Sequence, residues 1–274
     1  MLLDAQKGGY AVGAFNTENM EGIQAVIEAA EELGAPVIIQ TTSSMIKYCD
    51  PFLYNGMVRA LAERASVPVA LHLDHGNSYE TAALCLRAGY TSVMIDGSKL
   101  DFAGNIAVTR RVVEMCAPCG IPVEAELGKV GGKEDETACD DPGYTDPKDA
   151  VTFVEKTGIS SLAVAIGTAH GFYKGTPVLD KNRLAEIRSV VAIPLVLHGA
   201  SGLSDEDVKD CVKLGICKVN FATELRKAYT DGVREVLTDE TVYDPKAFGK
   251  VARARVKAQT MARMQVCGCA GRAR

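Results

Sequence analysis

Residues 12–41 read VGAFNTENMEGIQAVIEAAEELGAPVIIQT. The stretch opens on a short apolar run, Val12 to Asn16, and closes on a β-branched one, Pro36 to Thr41. Between them Ile23, Val26, Ile27 and Ala30 recur at three- and four-residue spacing, which puts them on one face of a helix. Gly34 suits the end of that helix, and Pro36 cannot continue it. A strand, a helix and a second strand in this order form a βα unit whose strands lie parallel.

The unit repeats along the chain. Runs at Val69 to Asp74, Ser92 to Asp96, Val123 to Leu127, Leu162 to Thr168, Pro194 to His198 and Cys217 to Phe221 bring the count to eight. The helix-to-strand punctuation recurs as Gly120-Ile121-Pro122 and Ala192-Ile193-Pro194. No linker interrupts the rhythm, and no glycine-rich G-x-G-x-x-G turn follows the first run, which disfavours an open dinucleotide-binding sheet. Eight units predict a closed (β/α)8 TIM barrel over 1–274 as a single domain with a C-terminal helical extension. Leu2, Leu3 and Ala5 before Gly8-Gly9 read as the end of an N-terminal helix capping the barrel bottom.

With 274 residues, 47% hydrophobic and 24% charged, the chain can bury one large core. A net charge of -5 leaves no electrostatic footprint for nucleic acid or an anionic membrane, so a small-molecule partner is expected. No apolar run approaches the roughly 20 residues that span a bilayer, and the first residues carry no signal-type stretch. A cytoplasmic location is expected. The nine cysteines then read as reduced thiols, Cys116-x-x-Cys119 and Cys267-x-Cys269 included.

In a barrel of this kind, chemistry is carried by the C-terminal ends of the strands and the loops after them. Here those ends supply Asn16, Gln40 with Thr41 and Thr42, Asp74 with His75, Asp96, Glu126, His170, His198, and Asn220 with Thr223. Three of the four histidines, His75, His170 and His198, fall at the mouth after strands three, six and seven. Three neutral imidazoles suit Zn²⁺ and leave a coordination position for substrate oxygens. His72, two residues inside strand three, is expected to pack or to support the site from below. Asp96 and Glu126 could hold a second divalent cation or orient the histidines. Gly167 to Gly171, His198 to Gly202 and Asn220 to Thr223 are small-residue loops where backbone N–H groups could receive a phosphate.

These motifs resemble the class II fructose-bisphosphate aldolases, a family that includes the tagatose-bisphosphate aldolases. The resemblance covers nearly the whole chain. It is carried by Gly13 to Asn16, Leu71 to Gly76, Ser92 to Ser98, Val123 to Gly128 with Gly131 to Asp135, Gly167 to Gly171, His198 to Gly202, and Asn220 to Glu224. It implies that His75, His170 and His198 hold a catalytic zinc, with Co²⁺ or Mn²⁺ as substitutes, and that Asp96 and Glu126 match a second metal position. A monovalent cation beside the phosphate also fits. Asp74 becomes the acid-base residue at the aldehyde oxygen, and Glu134 a mobile-loop acid. Gly171, Gly199, Ala200, Ser201, Asn220, Phe221, Ala222 and Thr223 match the dihydroxyacetone-phosphate contacts, and Thr42 falls at the far phosphate. Asn16 and Gln40 complete the expected substrate-binding set. A homodimer or homotetramer in glycolysis or gluconeogenesis is implied.

The expected reaction removes a proton beside a ketone. Zn²⁺ acting as a Lewis acid would stabilise the resulting charge, Glu134 would handle the carbon proton, and Asp74 the aldehyde oxygen proton. Asp74 and His75 can both reach the mouth only where the regular strand alternation breaks, which Gly76-Asn77 favours. Lys133 to Glu136 also reads as a solvated charge run. Two other functions remain open at this point: a Schiff-base aldolase using Lys218 or Lys99, and a sugar-phosphate-binding barrel without activity.

Overall fold

A computed structural model describes residues 1–134, 137–139, 143–173 and 175–273, giving for 133–134 and 137–139 the course of the backbone. The strands are β1 (Val12–Asn16), β2 (Val37–Thr41), β3 (Val69–Gly76), β4 (Ser92–Ile95), β5 (Val123–Leu127), β6 (Gly131–Glu134), β7 (Thr137–Cys139), β8 (Ser161–Val164), β9 (Ala169–His170), β10 (Leu195–Leu197) and β11 (Ile216–Phe221). Eight of them close into a parallel barrel in the order β1-β11-β10-β8-β5-β4-β3-β2. The protein is a (β/α)8 TIM barrel. Register follows the sequence pattern, with Phe15 beside Ile39 and Phe221, so apolar side chains of neighbouring strands meet.

Helices follow the strands around the outside. The helix Met20–Leu33 buries Ile23, Val26, Ile27 and Ala30 and ends at Gly34 in the left-handed region (φ 55°). Asn19 caps its start, accepting from the Gly22 N–H. The N-terminal helix Leu2–Gly8 ends at Gly9. It lies across the strand starts, where Gln6 donates to the Ala192 carbonyl (2.9 Å).

Two strand ends differ from expectation by more than one residue. β8 stops at Val164 rather than Thr168, because Gly167 adopts φ 103° and turns the chain out of the barrel. The segment then forms β9, which pairs in parallel with β6 and so joins a small sheet β7-β6-β9 above the barrel rim. β3 runs on to Gly76, with a register irregularity against β4 between Leu73 and Gly76. His75 sits in that irregularity at φ 45°, alone among described non-glycine residues in having positive φ.

The C-terminal helix Pro245–Cys267 packs against Thr223–Val236 and Met20–Leu33. Several of its basic residues are committed to this packing. Arg253 pairs with Glu28 and Gln24, Lys257 with Glu32, and Arg255 with Glu235. Arg253 and Arg255 are therefore structural partners of neighbouring helices. Among the described residues no helix is long and apolar enough to cross a membrane.

Candidate active site

The irregularity in β3 answers the geometric condition set by strand alternation. Successive strand residues point to opposite faces, but the left-handed backbone at His75 re-aims its side chain, so Asp74 and His75 both enter the mouth. A non-glycine residue held at positive φ is strained, and such strain is characteristic of functional sites.

His75, His170 and His198 come together there. One nitrogen from each lies within 4.8 Å of the others. Their rings are mutually tilted, with His75 centroids 5.0 Å from His170 and 4.6 Å from His198. Tetrahedral bonds of ~2.1 Å place ligand nitrogens ~3.4 Å apart, so small ring rotations would bring the three onto one ion. His75, Asp96 and Glu126 form a second such group sharing His75. The donor set of three imidazoles with nearby carboxylates fits a zinc-like cation.

Carboxylates orient the rings. Asp96 Oδ2 is 2.8 Å from His75 Nδ1, and Asp96 Oδ1 accepts from the Ser98 N–H. Burial pushes the Asp96 carboxyl up, but the hydrogen bond and charge of His75 and the Ser98 contacts outweigh it and hold it well below the usual range. His198 is fully buried between Glu126 Oε2 (3.1 Å from Nδ1) and Glu124 Oε1 (3.0 Å from Nε2). Burial opposes its protonation, yet hydrogen bonds to Glu124 and Glu126 raise its pKa to about 9.

Asp74 is completely buried and held by three carboxamides. Asn16 Nδ2 (2.9 Å) and Gln40 Nε2 (3.3 Å) donate to Oδ2, and Asn220 Nδ2 (2.9 Å) donates to Oδ1. Gln40 also donates to Asn16 Oδ1 (2.8 Å). Asn16, Gln40 and Asn220 thus surround Asp74, while Gln40 Oε1 and Asn220 Oδ1 have no protein partner among the described residues.

Beside the histidines a concavity is lined by Gly171, Gly199, Ser201, Asn220, Ala222 and Thr223 together with Asn16, His170 and Arg226. Gly199 adopts φ 66°, and a Cβ there would lie 2.7 Å from the Ala169 carbonyl oxygen, so only glycine fits without displacement. The helix Thr223–Val236 starts at Ala222 without a side-chain cap, which leaves its first N–H groups for an anion. Ala200 and Phe221 are buried and do not line the concavity; the Phe221 ring stacks on Phe15 at 5.6 Å. Thr42 is buried at the end of β2, with its hydroxyl 3.2 Å from Ser44 Oγ.

Glu134 ends β6, whose Gly132 pairs with His170, so this hairpin is tied to the metal-ligand candidate. Its side chain lies outside the described residues, as do residues 135 and 136 of the charge run.

Several further residues support the site. Tyr173 Oη accepts from the Ala169 N–H (2.9 Å) and donates to the Gly199 carbonyl (2.6 Å), stitching two mouth loops together. Glu224 accepts from the Gly202 N–H (2.8 Å) and is gripped by Arg263 of the C-terminal helix (2.6 and 2.9 Å). Arg226 pairs with Glu18 at the rim of the concavity (2.6 Å). Its position in the first turn after the last strand was the signal available in sequence.

The class-II fructose-bisphosphate aldolase family model matches residues 1–272. The chain belongs to that family. It is accordingly a lyase that cleaves carbon–carbon bonds. Solved structures agree. The YdjI aldolase of Escherichia coli K12 is 38% identical, with a TM-score of 0.89 over 100% of this chain and 97% of that one. A Coccidioides immitis protein assigned as a fructose-1,6-bisphosphate aldolase is 32% identical (TM-score 0.91; 99% and 96% covered). The fructose-bisphosphate aldolase of Campylobacter jejuni is 26% identical (TM-score 0.83; 98% and 93%).

Proposed function

We propose that this family member catalyses reversible, zinc-dependent aldol cleavage of a ketose 1,6-bisphosphate, fructose 1,6-bisphosphate in the first instance, to dihydroxyacetone phosphate and glyceraldehyde 3-phosphate. One observation carries the reading: three histidine nitrogens converge beside both a buried, carboxamide-held carboxylate and a backbone-lined anion concavity. A zinc ion held by His75, His170 and His198 would supply Lewis acidity where negative charge develops on the ketone oxygen.

The remaining chemistry falls to the chain's own groups. Asp74 takes the proton from the C4 hydroxyl in cleavage and returns it in condensation. Asn16, Gln40 and Asn220 hold its two oxygens in place, and the unused acceptors on Gln40 and Asn220 meet substrate hydroxyls. The phosphate of the dihydroxyacetone half lies against Gly171, Gly199, Ser201 and the helix start at Ala222 and Thr223. Glu134, on the hairpin tied to His170, moves the carbon proton. Thr42 meets the far phosphate. Asp96 and Glu126 provide for a second divalent ion, and a monovalent cation accompanies the phosphate. In this reading the enzyme works in the cytoplasm, in glycolysis or gluconeogenesis, as a homodimer or homotetramer.

Of the two Schiff-base candidates, Lys218 is engaged in an ion pair. Lys218 is buried, with its ammonium 3.0 and 2.9 Å from the two oxygens of Glu124. Fructose and tagatose bisphosphates differ in configuration at C4, the carbon whose hydroxyl Asp74 would meet. Cleavage of both is therefore measured side by side, with triose phosphate release as the readout. The ratio of kcat/KM values names the substrate, and inactivity on both would contradict the proposal.

A further inference from the structure

Directly beneath the metal-ligand candidates, the barrel interior holds charge where such barrels usually stack branched apolar side chains. Glu124 lies two residues before Glu126 on β5, so both face inward, one layer apart. Lys218 reaches it from β11 and binds both carboxylate oxygens. His72 on β3 stands 3.4 Å from the Lys218 ammonium, with its Nδ1 2.6 Å from Ser92 Oγ. Glu124 is 3% exposed and Lys218 1%. A buried ion pair gains little over apolar packing, so stability is a weak reason for this one.

Glu124 has another partner. Its Oε1 is 3.0 Å from His198 Nε2, on the opposite ring edge from Glu126. Glu126 belongs to one of the groups able to hold an ion, whereas Glu124 belongs to neither. Glu126 shares His75 with the three-histidine group, so the Nδ1 edge of His198, beside Glu126, is the side on which an ion would lie, and the Nε2 edge faces Glu124. A ligating imidazole is neutral, so the nitrogen away from the ion keeps its hydrogen and needs an acceptor.

We propose that Glu124, pinned by Lys218 from across the barrel, is a positioning residue that fixes His198 as an Nδ1 ligand by holding the hydrogen on Nε2. His75 is held the other way round, since Asp96 takes its Nδ1 and leaves Nε2 as the ligating atom. The two rings then approach the ion through different nitrogens, each set by its own carboxylate. Lys218 balances the Glu124 charge and, with both oxygens engaged, prevents the carboxylate from rotating away.

The inference rests on the three-histidine metal reading, and the test separates the two. Full-length enzyme with ¹⁵N-labelled histidine is loaded with zinc at one fixed pH, and the four ring spectra are assigned with His198→Asn and His72→Gln. The expected result is Nε2–H with metal-bound Nδ1 for His198. Zinc affinity, measured by chelator competition, should fall about 10- to 100-fold in Glu124→Gln and Lys218→Met. The conservative Lys218→Arg should restore most of it. A purely structural pair would lower the melting temperature of the zinc-free protein and leave zinc affinity unchanged. That result, or Nδ1–H on His198, overturns the proposal. Should a core variant fail to fold, the wild-type ring spectrum still decides. Zinc binding unaffected by His198→Asn would overturn the metal reading itself, and the positioning role with it.

Discussion

The site has two corners built by different means. The proposed metal corner is made of side chains, with His75, His170 and His198 each oriented by strand position and, for two of them, by a carboxylate. The proposed anion corner is built largely on backbone, with the left-handed turn at Gly199 and a helix start at Ala222 that has no side-chain cap. A side-chain corner can be removed one atom group at a time, whereas a backbone corner can only be distorted. Substitutions at the two should therefore fail differently: at the metal corner chemistry is lost, and at the anion corner binding is weakened.

The largest effect belongs to the metal corner. His75→Ala and His170→Ala should each lose bound zinc, measured as metal per chain after gel filtration, and with it all detectable cleavage. Asp74→Asn tests the boundary between the corners, because it removes the proposed proton carrier and touches none of the three histidines. Its kcat should fall by about 100- to 10,000-fold with zinc content unchanged. Loss of zinc from Asp74→Asn would show that the carboxamide cradle and the metal corner are one unit.

The metal corner was also the more legible in sequence, for a physical reason. Strand ends announce themselves where a β-branched run meets a polar residue, and histidines are few in this chain, so His75, His170 and His198 stand out at the mouth. The barrel itself followed from the same alternation. Glycine punctuation suggested the anion corner, but glycine alone does not say whether a turn is tight or receptive. Gly199 was informative only once its left-handed backbone and its contact with Ala169 were visible. Arg263 on Glu224 lies 39 residues away on the C-terminal helix, and no local pattern encodes which face of that helix meets the loop. The buried layer beneath the mouth was within reach. His72, Glu124 and Lys218 each precede Asp74, Glu126 and Asn220 by two residues, and strand alternation puts each pair on one face.

A smaller effect sharpens the comparison from the anion side. Gly199→Ala places a Cβ 2.7 Å from the Ala169 carbonyl oxygen and imposes a side chain at φ 66°. It should cost about 1 to 3 kcal/mol of stability. KM for the bisphosphate should rise about tenfold, worth ~1.4 kcal/mol, while zinc affinity stays at the wild-type value. An unchanged KM would place the phosphate elsewhere.

The smallest effect comes from the layer below the metal corner. Burial, reinforced by the Lys218 charge, lowers the His72 pKa well below its ordinary 6.5. The unfolded chain binds this proton below pH 6.5 and the folded one does not. Stability from His72 is therefore fully present above pH 6.5 and is lost as the pH falls toward the folded-state value. The slope should be at most about 1.4 kcal/mol per pH unit. Denaturant melts of wild type and His72→Gln between pH 6.5 and 5 should diverge by this slope. Parallel curves would contradict the neutral, buried assignment.

The most direct test of the whole account is cleavage of fructose 1,6-bisphosphate and tagatose 1,6-bisphosphate by enzyme stripped with EDTA, then titrated with zinc. Activity should be lost on stripping and recover when zinc is restored to the three-histidine site, and His198→Asn should fail to recover. Cleavage indifferent to chelation would contradict it.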